Sequence, residues 1–133
     1  MKQGPRILVV EDEDLIAGLI TDALSDVYEV SRAASVADAL EMLMAGDIVL
    51  VLLDYVLPGG TMWQVVLEAD RLSVPVVLMT GNPSKVADVS GGPRPYLLKP
   101  FSIAELIEVI DREVGAAQSR RAGDQPEAIS PAL

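Results

Sequence analysis

Five apolar blocks punctuate the chain, and most of them stop abruptly at a polar residue. Arg6-Ile7-Leu8-Val9-Val10 is short and β-branched, which predicts a strand buried on both faces. Ile48-Val49-Leu50-Val51-Leu52-Leu53 is the most apolar run and ends at Asp54. Val74 to Met79 predicts another buried strand, ending at Thr80-Gly81, and Tyr96-Leu97-Leu98 a last short one before Lys99-Pro100. Val27 to Arg32 reads as a half-exposed strand.

Between these blocks the apolar period lengthens to that of a helix. Asp14 to Leu24 carries Leu15, Ile16, Leu19, Ile20, Ala23 and Leu24 at helical spacing. Ser35 is placed to cap a helix bearing Val36, Ala39, Leu40 and Leu43, which Gly46 stops. Pro58-Gly59-Gly60 forces a turn, after which Met62 to Arg71 forms a third helix. Ser102 caps a last one, running to about Val114 with Ile103, Leu106, Ile107 and Ile110 on one face. Asn82 to Pro95 is poor in helix signals and is broken by Gly91-Gly92-Pro93. From Gly115 onward the periodicity is lost, so residues 1–115 are expected to form one domain and 116–133 a disordered tail. Strands alternating with helices predict an α/β fold, an open parallel sheet covered on both faces.

Length and composition narrow the function. At 133 residues, half of them hydrophobic, the chain suffices for a single core. No run of 18 or more apolar residues marks a membrane span. No apolar block with a cleavage site marks a secretory signal. The absence of cysteine excludes disulfides and thiolate sites and fits a cytoplasmic protein. The absence of histidine excludes His-ligated zinc and His general bases. A net charge of −10 argues against nucleic acid as a direct partner, because phosphates would be repelled, and favours basic protein faces or a bound cation.

In parallel sheets, ligands bind outside the carboxyl ends of the strands. Here four strands end in Glu11-Asp12, Asp54, Thr80 and Lys99, which the fold would gather at one rim. Each has a bland alternative: Asp12 or Glu13 as a helix cap, Asp54 and Thr80 as turn residues, Lys99 as a surface lysine. Together they form an acidic cluster with one hydroxyl and one cation. Carboxylates packed together repel one another unless a cation joins them, and hard oxygen ligands suit Mg²⁺. A carboxylate at a buried strand end can also attack a phosphoryl group, with Lys99 and Thr80 holding its oxygens.

With these residues in view, the chain resembles the receiver domain of two-component response regulators, in particular a stand-alone, chemotaxis-regulator-like one. The resemblance rests on Ile7-Leu8-Val9-Val10-Glu11-Asp12-Glu13, Val51-Leu52-Leu53-Asp54-Tyr55-Val56-Leu57-Pro58-Gly59, Val76-Val77-Leu78-Met79-Thr80-Gly81 and Tyr96-Leu97-Leu98-Lys99-Pro100-Phe101, in order, over about residues 5 to 114. It implies a flavodoxin-like, doubly wound, five-stranded sheet of order 2-1-3-4-5. It implies that Asp54 is the phosphoacceptor. Glu11, Asp12, Asp54 and the backbone carbonyl of Val56 would hold Mg²⁺, with Thr80 as the switch hydroxyl and Lys99 as the phosphoryl-binding cation. Tyr96 would be the aromatic that turns on activation, and the Lys99-Pro100 bond would be cis. Val56 and Asn82 would tune the phosphoryl lifetime, and Glu13 and Asp14 would only ease the start of the first helix.

Three departures from the family pattern stand out. Glu11 replaces the commoner Asp, and Gly60-Thr61-Met62 replaces the usual Met-Asp-Gly. Thr80 and Lys99 lie only 19 positions apart, so the helix expected between the last two strands is short or irregular.

The resemblance implies a regulator rather than an enzyme. It would take its phosphoryl group from a histidine kinase or histidine phosphotransfer protein and signal to a downstream protein of unknown identity. A phosphate sink or relay intermediate, or an unphosphorylated pseudo-receiver, is the alternative. An aspartate-nucleophile phosphatase would need an acid two residues beyond Asp54, where Val56 stands. A flavodoxin-like electron carrier would need a phosphate loop where Glu11 to Asp14 stand, and those acids would repel the cofactor.

Overall fold

The computed structural model describes residues 4–55, 62–82 and 94–123, with the side chains of 121–123 left aside. Its sheet has five parallel strands: β1 (Arg6–Val10), β2 (Glu29–Ala33), β3 (Ile48–Asp54), β4 (Val76–Thr80) and β5 (Tyr96–Leu98), in the order β2-β1-β3-β4-β5. Four helices connect or follow them among the described residues: α1 (Asp14–Leu24), α2 (Val36–Ala45), α3 (Met62–Arg71) and α4 (Ile103–Gly123). The expected flavodoxin-like sheet order is therefore observed.

The uninterrupted apolar runs follow from coverage on both sides. Side chains alternate across a strand, so one run feeds two cores. Leu8, Val10, Val51, Leu53 and Leu78 pack towards α2 and α3, against Val36, Ala39, Val65 and Ala69. Ile7, Val9, Leu50, Leu52, Val77 and Met79 pack the other way, against Ile20 and Leu24 of α1 and Leu106 and Ile110 of α4. Each such Val, Leu or Ile contributes roughly 1.5–3 kcal/mol on burial. Leu52→Ala would leave a cavity at the sheet centre, costing about 2–5 kcal/mol.

Helix ends follow local chemistry. The Ser35 hydroxyl accepts from the Asp38 amide at the start of α2, and Gly46 leaves its end at φ 93°, which favours glycine. Ser102 and Glu105 bond reciprocally at the start of α4 (2.8 and 3.0 Å), a capping box.

Three boundaries differ from the sequence expectation. β2 begins at Glu29 rather than Val27, because the amides of Val27 and Tyr28 still bond the Leu24 carbonyl in the turn after α1. β4 begins at Val76 rather than Val74, whose amide bonds Ala69 of α3, and Pro75 has no amide to give. The largest correction concerns α4, which continues to Gly123 instead of ending near Val114, with Ala117 still buried. Of the tail expected from residue 116, the first part is thus helical; residues 124–133 lie outside the described residues, as do 58–60, where a turn is expected, and 83–93, where the short or irregular helix is expected.

Candidate functional site

Strand order reverses around β1 and β3, and their carboxyl ends carry the densest polar chemistry. Glu11 extends β1: its amide bonds the Ala33 carbonyl (3.0 Å), and its own carbonyl accepts from Arg32 Nε (2.9 Å). Asp54 is the last residue of β3, and the Tyr55 amide behind it bonds Met79 of β4. Thr80 ends β4, and its carbonyl accepts from the Lys99 amide (2.8 Å) just after β5. Backbone ladders alone therefore place these side chains on one rim, around an open cavity of about 310 Å³ lined by Glu11, Asp12, Asp54, Thr80 and Lys99.

Glu11, Asp54 and Thr80 are almost fully buried (1%, 7% and 3% exposed), whereas Asp12 is exposed. Lys99 Nζ donates to Asp54 Oδ1 at 3.0 Å and stands 3.9 Å from Glu11 Oε1, close enough for charge attraction but too far for a hydrogen bond. Oxygens of Glu11, Asp12 and Asp54 lie within 4.8 Å of one another. One ammonium thus faces three carboxylates.

The strain of that imbalance falls on Glu11. Burial pushes its carboxyl above the ordinary range; the amide of Glu13, bonded to Oε2 at 3.2 Å, pulls it down. Asp54 and Asp12 raise it further, and Lys99 opposes them. Glu11 Oε1 is buried without a hydrogen-bond partner among the described residues. A buried, unpartnered carboxylate oxygen facing two more carboxylates is the donor set a small divalent cation fits.

Thr80 is held by its own loop. Its hydroxyl accepts from the Asn82 amide (3.0 Å) and donates to the Asn82 carbonyl (3.2 Å). The Lys99-Pro100 peptide is cis. Tyr96 stands apart from the acidic cavity on the edge strand β5, with 42% of its surface exposed. Val56 lies outside the described residues. Glu13, expected to ease helix entry, makes no side-chain cap; its amide serves Glu11 instead. Asp14, exposed at the first turn of α1, forms an ion pair with Arg32 (2.9 Å). Arg32 itself went unmarked in the sequence, and its only signal was a cationic residue at the end of the strand expected beside the first.

The model of the response regulator receiver domain matches residues 7–111. TcrA of Mycobacterium tuberculosis, a transcriptional regulatory protein, is 36% identical over 109 residues, covering 77% of this chain and 43% of TcrA. HprR of Escherichia coli, also a transcriptional regulatory protein, is 32% identical over 108 residues, covering 77% of the chain and 48% of HprR. The chain therefore spans less than half the length of these two curated relatives. The signal receiver domain of an HD domain-containing protein from Pseudomonas fluorescens Pf-5 superposes with a TM-score of 0.79, covering 92% of this chain and 95% of that one; at 23% identity the likeness is one of fold. The relatives' names attach transcriptional control to whole proteins, whereas the charge argument against nucleic acid concerns only the residues in hand. No described helix is long and apolar enough to cross a membrane. Rim, sheet order and matched sequence coincide over the same residues: the chain belongs to the receiver domains of two-component response regulators.

Proposed function

We propose that the chain is a phosphorylation-activated receiver that accepts a phosphoryl group on Asp54 and passes the signal to a protein partner. The observation that carries this reading is the Lys99–Asp54 contact at 3.0 Å within the acidic cluster, where Glu11 Oε1 has no hydrogen-bond partner among the described residues. Glu11, Asp12 and Asp54 would hold Mg²⁺. When bound, the metal supplies positive charge that offsets both the acceptor and the incoming phosphoryl oxygens.

The chain's own residues do the rest. An Asp54 carboxylate oxygen attacks phosphorus in the phosphohistidine of a kinase or phosphotransfer protein. The O–P bond forms as the N–P bond breaks, and the imidazole leaves with the electron pair and takes up a proton. Lys99 exchanges its bond to free Asp54 for one to a phosphoryl oxygen. Thr80 must leave its ring with Asn82 to donate to another, and that inward movement would leave room for Tyr96 to turn in. Asn82, two residues beyond Thr80, would tune how readily water reaches the acyl phosphate.

Incubation with acetyl phosphate, with and without Mg²⁺, tests the proposal through intact mass. One phosphoryl group is expected, dependent on Mg²⁺ and absent in Asp54→Asn. Labelling that persists in that variant, or ignores chelation, overturns it.

A further inference from the structure

We infer that Arg32 is a positioning residue for the metal-binding loop: by joining the Glu11 carbonyl to the Asp14 carboxylate, its guanidinium fixes the turn that presents Asp12. The inference rests on the reading of Glu11, Asp12 and Asp54 as Mg²⁺ ligands. Arg32 lies on β2, in register with Val9, two residues before the loop. Nε donates to the Glu11 carbonyl at 2.9 Å, and Nη1 pairs with Asp14 Oδ1 at 2.9 Å. The bond from the Glu11 amide to Ala33 completes the attachment, so both backbone groups of Glu11 are held from β2.

Asp12 sits between the two clamped residues with its side chain in solvent, and none of the described hydrogen bonds or ion pairs holds that side chain in place. Fixing its neighbours is then what holds it near Glu11 and Asp54. The fork is not optimised for stability alone. Arg32 Nη2 is buried without a hydrogen-bond partner among the described residues, and Asp14 is 93% exposed. A surface pair of that kind adds little to folding. Its benefit is geometric, and only a planar, forked cation can span the two acceptors at once.

The sign of one substitution separates this role from simple electrostatics. Arg32→Ala removes a positive charge beside an acidic site, so Coulomb attraction alone would tighten Mg²⁺ binding. Loss of positioning would weaken it, by about tenfold if the loop behaves like other supports of metal ligands. Arg32→Lys keeps the charge and loses the fork, so weakening is expected there too, whereas charge alone predicts no change. Arg6→Ala is the control: Arg6 also bridges β1 to β2, at the far end of the strands, through Glu29 and Ser31.

Titration with MgCl₂, followed by the amide NMR shifts of Glu11, Asp12 and Glu13, gives the dissociation constants. The expected result is weaker binding in Arg32→Ala and Arg32→Lys, with Arg6→Ala like the wild type. Should Arg32→Ala fail to fold, Arg32→Lys carries the test. Unchanged or tighter binding in the folded Arg32 variants overturns the positioning role and leaves the metal site standing, and equal weakening in Arg6→Ala overturns it as well. A wild-type protein that ignores Mg²⁺ overturns the metal reading and this inference together.

Discussion

At the amino ends of β1 and β2, Arg6 reaches Glu29 and Ser31, each at 2.8 Å, and the group is partly open to solvent. At the carboxyl ends of the sheet, Lys99 meets Asp54 at 3.0 Å, but Glu11 and Asp12 crowd the same place and Glu11 Oε1 finds no hydrogen-bond partner among the described residues. One rim has matched its charges and the other holds a surplus of negative charge under burial. The strands are shared, so backbone geometry does not explain the contrast. Asymmetry of this kind marks a place where stability is given up for chemistry. It also makes the two rims respond differently to substitution, pH and ions.

Lys99→Met should have the largest effect. Without its ammonium the three carboxylates face one another with nothing positive between them. Removing one partner of a fully buried ion pair costs about 3–5 kcal/mol; Lys99 is partly exposed, so about 1–2 kcal/mol is expected from urea unfolding without Mg²⁺. MgCl₂ should restore much of that loss, and NaCl at equal ionic strength should not. Acetyl phosphate labelling should fall about 100-fold, the usual cost of losing one charged donor at a reacting oxygen. A variant as stable as the wild type in the absence of Mg²⁺ would mean that the carboxylates do not repel as their spacing implies.

Glu11→Gln should act in the opposite direction. Burial, with Asp54 and Asp12 adding to it, raises the Glu11 carboxyl in the folded chain. The folded state then holds this proton more tightly than the unfolded state does. Stability from that preference is complete below the ordinary glutamate value and disappears as pH rises through the raised one. The metal-free wild type should therefore lose stability across the interval just above the ordinary carboxylate range. Glutamine keeps an oxygen for the Glu13 amide and has no proton to lose. The variant should gain about 1 kcal/mol near neutral pH and lose this part of the pH dependence, while binding Mg²⁺ more weakly. Urea midpoints across pH, without Mg²⁺, check it; a variant less stable than the wild type at neutral pH contradicts it.

These opposite signs bear on what the chain could be read to say. The apolar runs placed β1, β3 and their exits correctly, because a strand covered on both faces leaves little freedom in composition. Glu11, Asp54, Thr80 and Lys99 were legible for the same reason: a polar residue that ends such a run must lie at its carboxyl end. Periodicity failed beyond Gly115, yet Ala116, Ala117, Gln118 and Arg120 favour helix and no proline follows until Pro126, so α4 continues on propensity and on the burial of Ala117. Val27 looked like a strand residue because composition does not show that the amides after α1 still belong to its turn. Arg32 and Asp14 were illegible as a pair, since 18 positions separate them and only the register of β2 beside β1 brings them together. The unequal sharing of charge between the rims was equally hidden. Acid counts do not say which carboxylate oxygen ends up buried without a hydrogen bond among the described residues.

The smallest effect belongs to the amino-end rim and completes the contrast. Arg6→Ala removes the bonds to Glu29 and Ser31, but Arg6 is substantially exposed, so water solvates the groups left behind. Exposed pairs of this kind are worth about 0.2–1 kcal/mol, and ions screen them over about 10 Å at 0.1 M salt. The variant should lose about 0.5 kcal/mol in urea unfolding, and 0.5 M NaCl should remove most of the difference from the wild type. MgCl₂ at the same ionic strength should do no more than NaCl, because among the described residues this rim has no converging set of carboxylates to hold the ion. Acetyl phosphate labelling of Asp54 should be unchanged. If Mg²⁺ acted on Arg6→Ala as it is expected to act on Lys99→Met, its effect would be general screening, and the carboxyl rim would lose its claim to a specific cation.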